Sequence, residues 1–305
     1  MPKDALHLLL GDGRVGQAII TSQALDLVVF TGSLKTAKSI HNSLSNKPGK
    51  IVPLIAETGG LNSMVVDSSA LIERACDDIM RSAFNSAGQR CSALRLLLVH
   101  ETIYEELILM LKGMMSELIV GNPSNSSVDM GPIISVEAVQ ELYDYLDKPD
   151  SERLTIFQPQ APDEHRKQWF LPTLIELKSI NTLNEEKFGP ILHVLKFSEK
   201  TLDSQLEQIT AKGFGLTFGI HTRIDAKAIH ASKLVSAGNT YINRDIIGAV
   251  VESQPFGGKN LSGTGFKAGG PNYLMQFTDE RTISINTVAI GGNAELLNQA
   301  SEDAP

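Results

Sequence analysis

The chain has 305 residues, of which 42% are hydrophobic and 20% are charged, and its formal net charge is −8. This balance predicts a folded cytoplasmic protein, argues against a general nucleic-acid-binding surface, and leaves no apolar run of the roughly 18 residues that a membrane span requires. Its 2 cysteines are too few for a disulfide framework and fit a reducing compartment.

The first part of the chain alternates apolar runs with helix-like periodic segments. The apolar run at residues 6–10 predicts a buried parallel strand, and the GDGRVG that follows opens a predicted helix reaching about Ser22. A lone glycine pattern of this kind is weak evidence for a dinucleotide site, so we do not assign the phosphates to it. The resulting βαβαβ series predicts half of a doubly wound nucleotide-binding sheet over residues 1–60. Its other elements are a strand at 27–30, a helix at 34–44 and a strand at 51–56.

After residue 60 the pattern predicts a second, α/β catalytic domain over residues 61–280. Cys76 falls within a predicted helix, where it has the character of a packing residue. Residues 281–286, reading RTISIN, alternate like an edge strand that projects from the domain, so residues 281–305 are read as this strand and a tail that is disordered after Leu297. The other predictions are strands at 63–66 and 95–99, helices at 69–83, 101–118 and 136–146, and a charged surface loop or hairpin at 147–166.

Residues 85–95, reading NSAGQRCSALR, contain the strongest candidate for a reactive group. Cys91 stands there among small residues and beside Arg90, whose charge would favour the thiolate that nucleophilic catalysis requires. Glu57 precedes a glycine pair in AETGGLN, where a strand should end at a cleft. A thiol and a carboxylate at one site can form a thioester and then deprotonate the water that hydrolyses it. The residues alone leave open that Cys91 is a small buried residue and Glu57 a surface charge.

Other kinds of site have little support in the sequence. The 7 histidines are dispersed, with no pair at metal-ligand spacing, so no metal site is predicted. The sequence lacks GxSxG, and no histidine stands beside a candidate serine, which argues against a Ser/His/Asp hydrolase.

Six segments, in order along the chain, resemble the aldehyde dehydrogenase superfamily. In that superfamily a Gly-Gln-x-Cys motif carries the nucleophile and a Glu-x-Gly-Gly motif the general base, as found here around Cys91 and Glu57. The other four segments are FTGS, NPSNSSVDMGP, EEKFGP and QPFGGKNLSGTG. PLIAETGG, SAFNSAGQRCSALR, SGTGFKAGGPNYL and INTVAIGGNAELL look most like the L-glutamate γ-semialdehyde (pyrroline-5-carboxylate) dehydrogenase module of the bifunctional proline utilization A group.

This resemblance implies an aldehyde dehydrogenase-like α/β fold and the oxidation of L-glutamate γ-semialdehyde to glutamate with NAD. Cys91 would be the nucleophile, and Glu57 the base that activates water for thioester hydrolysis. Glu186 would accept hydrogen bonds from the hydroxyls of the nicotinamide ribose, with Phe188 packed beside the cofactor. The resemblance further assigns Gly32 and Ser33 to the pyrophosphate, and Arg90, Ser92, Ser262 and Gly263 to the ammonium and carboxylate end of the substrate.

Two family segments do not occur in this sequence. One is a Pro-Trp-Asn segment whose amide helps to hold the oxyanion, and the other is a Lys-Pro-x-Glu segment that contacts the adenosine ribose. We therefore expect the C-terminal portion of a longer protein, inactive by itself, whose upstream part includes a flavin-dependent proline dehydrogenase module. No FAD is expected in this portion. The resemblance also implies a homodimer formed through residues 281–286.

Three other functions stay open on the sequence. The chain could be a non-catalytic structural or assembly fragment, or another NAD(P)-dependent aldehyde dehydrogenase, because the strand end that reads the 2′ position of the cofactor lies outside this sequence. It could also be a Cys/Glu esterase, since ester hydrolysis needs a thiol and a base but no nicotinamide.

Overall fold

The computed structural model of the chain describes residues 2–159, 168–286 and 289. Helices and strands alternate along most of this length, as in an α/β protein. The helices are α1 (Gly13–Thr21), α2 (Leu34–Ser45), α3 (Ile72–Phe84), α4 (Tyr104–Glu117), α5 (Val136–Asp147), α6 (Leu202–Ala211) and α7 (Asp225–Leu234). The strands are β1 (Val28–Thr31), β2 (Leu54–Glu57), β3 (Ser63–Val66), β4 (Leu96–His100), β5 (Arg153–Phe157), β6 (Thr173–Leu177), β7 (Ile191–Phe197), β8 (Thr217–His221) and β9 (Asn239–Ile242).

The larger sheet has seven strands in the order β5-β6-β7-β4-β3-β8-β9. Every neighbouring pair is parallel except β5 and β6, which are antiparallel at one edge. Strands β3, β4 and β8 are buried at every position, as expected for a parallel sheet that is covered on both faces. The main hydrophobic core lies around this sheet and includes residues of α3 and α4. It provides the rigid support for the loops described below.

The smaller sheet consists of β1 and β2, which run parallel with Thr31 opposite Glu57. It is accompanied by α1 and α2 and by a small apolar cluster of Ile20, Leu44 and Val52. The strand–helix–strand order predicted for residues 27–56 is therefore confirmed. The domain boundaries at residues 60 and 280 remain a prediction, with which the two separate sheets are compatible.

Two predicted strands are not formed. Residues 6–10 contain no strand, and Leu8 and Leu10 are each 83% exposed. Residues 281–286 also contain no strand, and Ile283 and Ile285 are each 69% exposed. The strand predicted at residues 6–10 was wrong for this chain, because a strand requires a neighbour to accept its backbone hydrogen bonds, and the described residues offer none to this segment. The strand predicted at residues 281–286 was expected to pair with a second subunit, so it stays a prediction.

The charged stretch predicted as a surface loop or hairpin contains β5, which pairs antiparallel with β6. The predicted stretch therefore supplies one strand of an antiparallel pair, whose other strand, β6, begins beyond it, and residues 160–167 lie outside the described residues. The predicted disorder after Leu297 also falls outside them. Cys76 is completely buried in α3, as predicted. No described helix combines the length and apolar character needed to cross a membrane.

Candidate active site

The principal predicted residues lie on loops that meet between the two sheets. Glu57 is the last residue of β2, and the chain then enters the amino end of β3. Cys91 lies before the amino end of β4, and Glu186 before that of β7. Because β3, β4 and β7 are adjacent and parallel, the loops that precede them meet at one edge of the large sheet. The structure thus brings together Glu57, Cys91 and Glu186 from three separate parts of the sequence.

The turn that precedes Cys91 has an unusual backbone. Ser86, Ala87 and Gly88 have φ angles of 57°, 54° and 64°, so three consecutive residues are left-handed. Such a conformation costs a non-glycine residue on the order of 1 kcal/mol or more. A side chain on Gly88 would collide with the carbonyl of Gly189, so glycine is required where this turn passes the loop of Glu186. The turn joins the end of α3 to the residues that carry the thiol.

Asn62 fixes the backbone around the candidate nucleophile. Its Nδ2 donates to the carbonyl oxygens of Cys91 at 2.7 Å and of Ala93 at 2.9 Å. Its Oδ1 accepts a hydrogen bond from the Thr217 N–H at 3.1 Å. This buried amide therefore ties the nucleophile turn to the amino end of β8, and both of its polar atoms are satisfied.

The electrostatic surroundings of Cys91 differ from those expected. Burial raises the pKa of its thiol, and the negative charges of Glu186 and Glu57 raise this pKa further. Arg90, expected to favour the thiolate, instead donates from Nε to the Ser86 hydroxyl at 3.0 Å. The thiol is therefore protonated at neutral pH, and a base must remove its proton before it can act as a nucleophile.

Glu57 is enclosed by the glycine-rich loop of residues 257–265. Its Oε2 accepts a hydrogen bond from the Gly258 N–H at 3.0 Å. A Cβ at Gly263 would stand 2.9 Å from both carboxylate oxygens, so the absence of a side chain there allows the close approach. Burial raises the pKa of Glu57 to about 7, against the opposing effects of the Gly258 amide and the Lys267 charge. A carboxylate with this pKa can exchange a proton near neutral pH, as a general base must.

Glu186 is a largely buried carboxylate paired with Arg95, which is itself only 1% exposed. Arg95 Nη2 donates to Glu186 Oε1 at 2.9 Å, and the ring of Phe188 has its centre 5.5 Å from the guanidinium carbon. Burial raises the pKa of Glu186, and the charge of Arg95 opposes this rise. Gly59 faces the same carboxylate, and a Cβ there would overlap Oε2. The carboxylate is thus packed directly against the backbone of Gly59, where a side chain would not fit.

Gly32 and Ser33 form the turn from β1 into α2. The Gly32 N–H donates to the carbonyl of Glu57 at 3.1 Å, so this turn lies at the same end of the small sheet as the candidate base. Ser33 caps α2, because its hydroxyl accepts from the Thr36 N–H at 3.2 Å. The amino end of a 12-residue helix presents backbone N–H groups and a partial positive charge that suit a phosphate.

The four residues predicted to anchor the substrate have different surroundings. Arg90 is partly exposed, whereas Ser92 is buried. Ser262 is completely buried, and its hydroxyl accepts a hydrogen bond from the Gly215 N–H at 3.0 Å. Gly263 pairs through its backbone with Glu57. Arg90 and the backbone of Gly263 therefore adjoin the candidate nucleophile and base, whereas the Ser262 hydroxyl is engaged inside the protein.

Sequence reasoning did not identify Arg95 or Asn62 as site residues. Arg95 was assigned only as the first residue of a strand, and the structure begins that strand one residue later. The signal in the sequence was that each of these polar residues stands directly before a run that forms a buried strand. A charge or an amide that is buried at such a position requires hydrogen-bonding partners. In the described parts of the chain, no group of three or more His, Cys, Asp and Glu side chains could hold a metal ion.

Comparisons with known proteins show which proteins this chain is similar to. The bifunctional protein PutA of Rhizobium meliloti is 45% identical over 305 residues, which cover 98% of this chain and 25% of that protein. A crystal structure of a bifunctional proline utilization A protein superimposes with a TM-score of 0.90 at 48% identity, covering 95% of this chain and 30% of that one.

A 1-pyrroline-5-carboxylate dehydrogenase from Thermus, solved with bound NAD, gives a TM-score of 0.80 at 29% identity, covering 88% of this chain and 52% of that one. The chain thus spans 25 to 30% of the bifunctional proteins and 52% of the shorter dehydrogenase. The model of the aldehyde dehydrogenase family matches residues 1–283. With this match over nearly its whole length, the chain belongs to the aldehyde dehydrogenase family.

Proposed function

We propose that this chain carries the nucleophile, the general base and the nicotinamide-side residues of an NAD-dependent L-glutamate γ-semialdehyde dehydrogenase. It would act in the cytoplasm, as part of a protein that degrades proline. The observation that carries the proposal is that Glu57, Cys91 and Glu186 come together at the amino ends of the adjacent parallel strands β3, β4 and β7. The substrate class is supported by the relatives, which include bifunctional PutA proteins and 1-pyrroline-5-carboxylate dehydrogenases.

The residues present fit a nicotinamide dinucleotide. The amino end of α2 at Gly32 and Ser33 offers backbone donors to a pyrophosphate. Glu186, in the loop before β7, offers carboxylate oxygens to ribose hydroxyls. Phe188 is partly exposed and can pack against the bound cofactor. NAD, when bound, would accept the hydride that leaves the substrate.

The first step joins Cys91 to the aldehyde. Sγ adds to the aldehyde carbon, and the thiol proton passes to Glu57, whose pKa of about 7 lets it accept a proton at neutral pH. The backbone N–H groups of Cys91 and Ser92 point to the sulfur and favour its ionised form. Loss of hydride from the resulting hemithioacetal carbon then leaves a thioester on Cys91.

The second step is hydrolysis of that thioester. Glu57 first returns the thiol proton to solvent, and then removes a proton from the water that attacks the thioester carbonyl. The C–S bond breaks, so glutamate leaves and Cys91 is regenerated. For the distal end of the substrate, Arg90 would attract its carboxylate and the Gly263 N–H would supply a backbone donor. Ser262 would hold this loop in place, because its N–H donates to the Lys259 carbonyl at 3.0 Å, and Ser92 is buried next to Cys91 in the sequence.

The exposed apolar segments favour an arrangement in which other parts of a longer protein, or a second subunit, cover them. The leucines of residues 6–10 and the isoleucines of residues 281–286 are largely exposed, which is unusual for so many large apolar side chains in short segments. We propose that upstream dehydrogenase sequence covers the first segment and that a second subunit pairs with the other. The upstream part would also contain the proline dehydrogenase module, and no FAD is assigned to the residues of this chain.

The test is NADH formation from L-glutamate γ-semialdehyde by this chain, by the protein extended with its upstream gene sequence, and by the Cys91→Ala variant of the extended protein. We expect activity in the extended protein and its loss in Cys91→Ala. Absence of NADH formation in the folded extended protein would refute the proposal. Release of product from an activated ester that depends on Cys91 but not on NAD would then favour an esterase.

A further inference from the structure

Arg95 is a buried cation whose guanidinium hydrogen bonds join the two loops of the candidate site. Its Nη1 donates to the carbonyl of Gly189 at 2.9 Å, in the loop that carries Glu186. Its Nη2 donates to Glu186 Oε1 at 2.9 Å and also to the carbonyl of Arg90 at 3.2 Å. Arg90 directly precedes Cys91. One planar guanidinium therefore holds the nucleophile turn and the Glu186 loop in a fixed relation.

The three acceptors of this guanidinium explain why residue 95 is an arginine and not a lysine. A lysine carries one ammonium group, which cannot donate in the same fixed geometry to a carboxylate and to two carbonyls on separate loops. A buried ion pair with only a structural purpose can often be replaced by apolar side chains at no cost in stability. Here the acidic partner is the carboxylate assigned to the nicotinamide ribose, and the charge of Arg95 also interacts with Cys91.

We propose that Arg95 is a positioning residue that orients Glu186 for the cofactor and places its positive charge beside the turn that carries Cys91. This inference rests on the proposed function, since it concerns the carboxylate assigned to the cofactor. It replaces the expectation that Arg90 supplies that charge. Arg90 is instead joined to Ser86 and contributes its backbone carbonyl to Arg95.

The groups that face one another here explain the effect of losing this charge. Glu186 comes from the loop before β7, Glu57 from the end of β2 and Cys91 from the turn before β4, while Lys267 acts on Glu57. Without Arg95, Glu186 would remain buried near the thiol with no cation bonded to it. The ionised form of Glu186 would then be less favourable, and its carboxylate would no longer be held in one orientation. The Cys91 thiolate would also lose the nearby positive charge.

The experiment measures the pKa of Cys91 from the pH dependence of its alkylation by iodoacetamide, with Cys91→Ala as the blank for reaction at Cys76. The variants are Arg95→Met, Arg95→Lys and Glu186→Gln, and the matched control is Arg81→Met, an arginine that is 56% exposed and paired with Asp245. NAD dissociation constants are measured for the same variants in the extended protein described above. Thermal unfolding of each variant gives the structural contribution separately.

We expect Arg95→Met to weaken NAD binding roughly tenfold or more, and to raise the pKa of Cys91 at pH values where Glu186 stays ionised. Arg95→Lys retains the positive charge, so the pKa of Cys91 should change little. NAD binding should still weaken in this variant. Glu186→Gln should lower the thiol pKa, because it removes a negative charge that raises it. Arg81→Met should leave both quantities unchanged.

The inference is overturned if Arg95→Met lowers the unfolding temperature but leaves the thiol pKa and NAD binding unchanged. Should Arg95→Met not fold, Arg95→Lys and Glu186→Gln decide the question. Unchanged NAD binding in Arg95→Lys together with an unchanged thiol pKa in Glu186→Gln refutes the inference. Alkylation requires neither NAD nor aldehyde. A shifted thiol pKa in a protein that forms no NADH would therefore contradict the proposed function and leave the electrostatic role of Arg95 standing.

Discussion

The substitution Gly59→Ala tests how tightly Glu186 is held. A methyl group at this position would overlap the Glu186 carboxylate, which is bonded on its other side to Arg95. Overpacking a buried site costs roughly 1–3 kcal/mol, and losing a hydrogen bond between charged groups costs about 1.5–3 kcal/mol. If the carboxylate rotates away, both costs apply in part, and we expect a destabilisation of about 3 kcal/mol from these two effects.

The matched control is Gly113→Ala. Gly113 lies in α4, is exposed, and has no atom within 4 Å of an added Cβ. Alanine in a helix interior is favoured over glycine by about 0.5–1 kcal/mol, so this variant should be slightly more stable than the parent. The same glycine-to-alanine substitution is thus expected to lower the stability of the protein at residue 59 and to raise it slightly at residue 113.

Thermal unfolding followed by circular dichroism measures both variants, and NAD titration of the extended protein tests the site. At about 2–4 °C for each kcal/mol, Gly59→Ala should unfold roughly 6–12 °C lower. NAD binding should weaken, because Glu186 is displaced from the place assigned to the ribose hydroxyls. An unfolding temperature and NAD affinity equal to those of the parent would show that Glu186 does not pack against residue 59.

Three further changes follow from the same contacts. Because the pKa of Glu57 is raised to about 7, hydrolysis of an acylated thiol should rise about tenfold per pH unit below pH 7 and level off above it. Glu57→Gln should remove this dependence, and a slope that persists in the variant would assign the base elsewhere. Asn62→Ala deletes three buried hydrogen bonds and should cost about 3 kcal/mol in urea unfolding, whereas the exposed Asn46→Ala should change little. Asp67 is buried, and hydrogen bonds from Lys227 and neighbouring groups outweigh its burial to lower its pKa to about 2. The stability it contributes, about 2 kcal/mol at neutral pH, should therefore be lost as the pH falls from about 4 towards 2. Asp67→Asn should differ most from the parent at pH 7, and equal differences at pH 7 and pH 2 would contradict this reading.

The sequence was sufficient to predict most local elements and the family to which the chain belongs. Apolar runs of four or five residues predicted β3 and β4 to within one residue at each end, because parallel strands buried on both faces are apolar at successive positions. The motifs around Cys91 and Glu57 predicted the family that the comparisons then showed. These features depend on neighbouring residues, so they can be recognised without knowing the fold.

The same apolar signal failed at residues 6–10, because it carries no information about which strand lies alongside. The reach of Arg95 to Glu186, 91 residues further along the chain, was equally hidden. The sequence also suggested that the charge of Arg90 would favour the thiolate, whereas burial and two carboxylates raise the pKa of Cys91 in the folded chain.

The sequence by itself determined the secondary structure of most segments and the kinds of group available for chemistry. The tertiary structure alone decided that the site lies at the amino ends of β3, β4 and β7, which charges surround the thiol, and which apolar segments stay uncovered. The physical reason is that pairing, burial and electrostatic interaction depend on distances through space between residues far apart in the chain, whereas helix and strand patterns and motifs are set by residues close together.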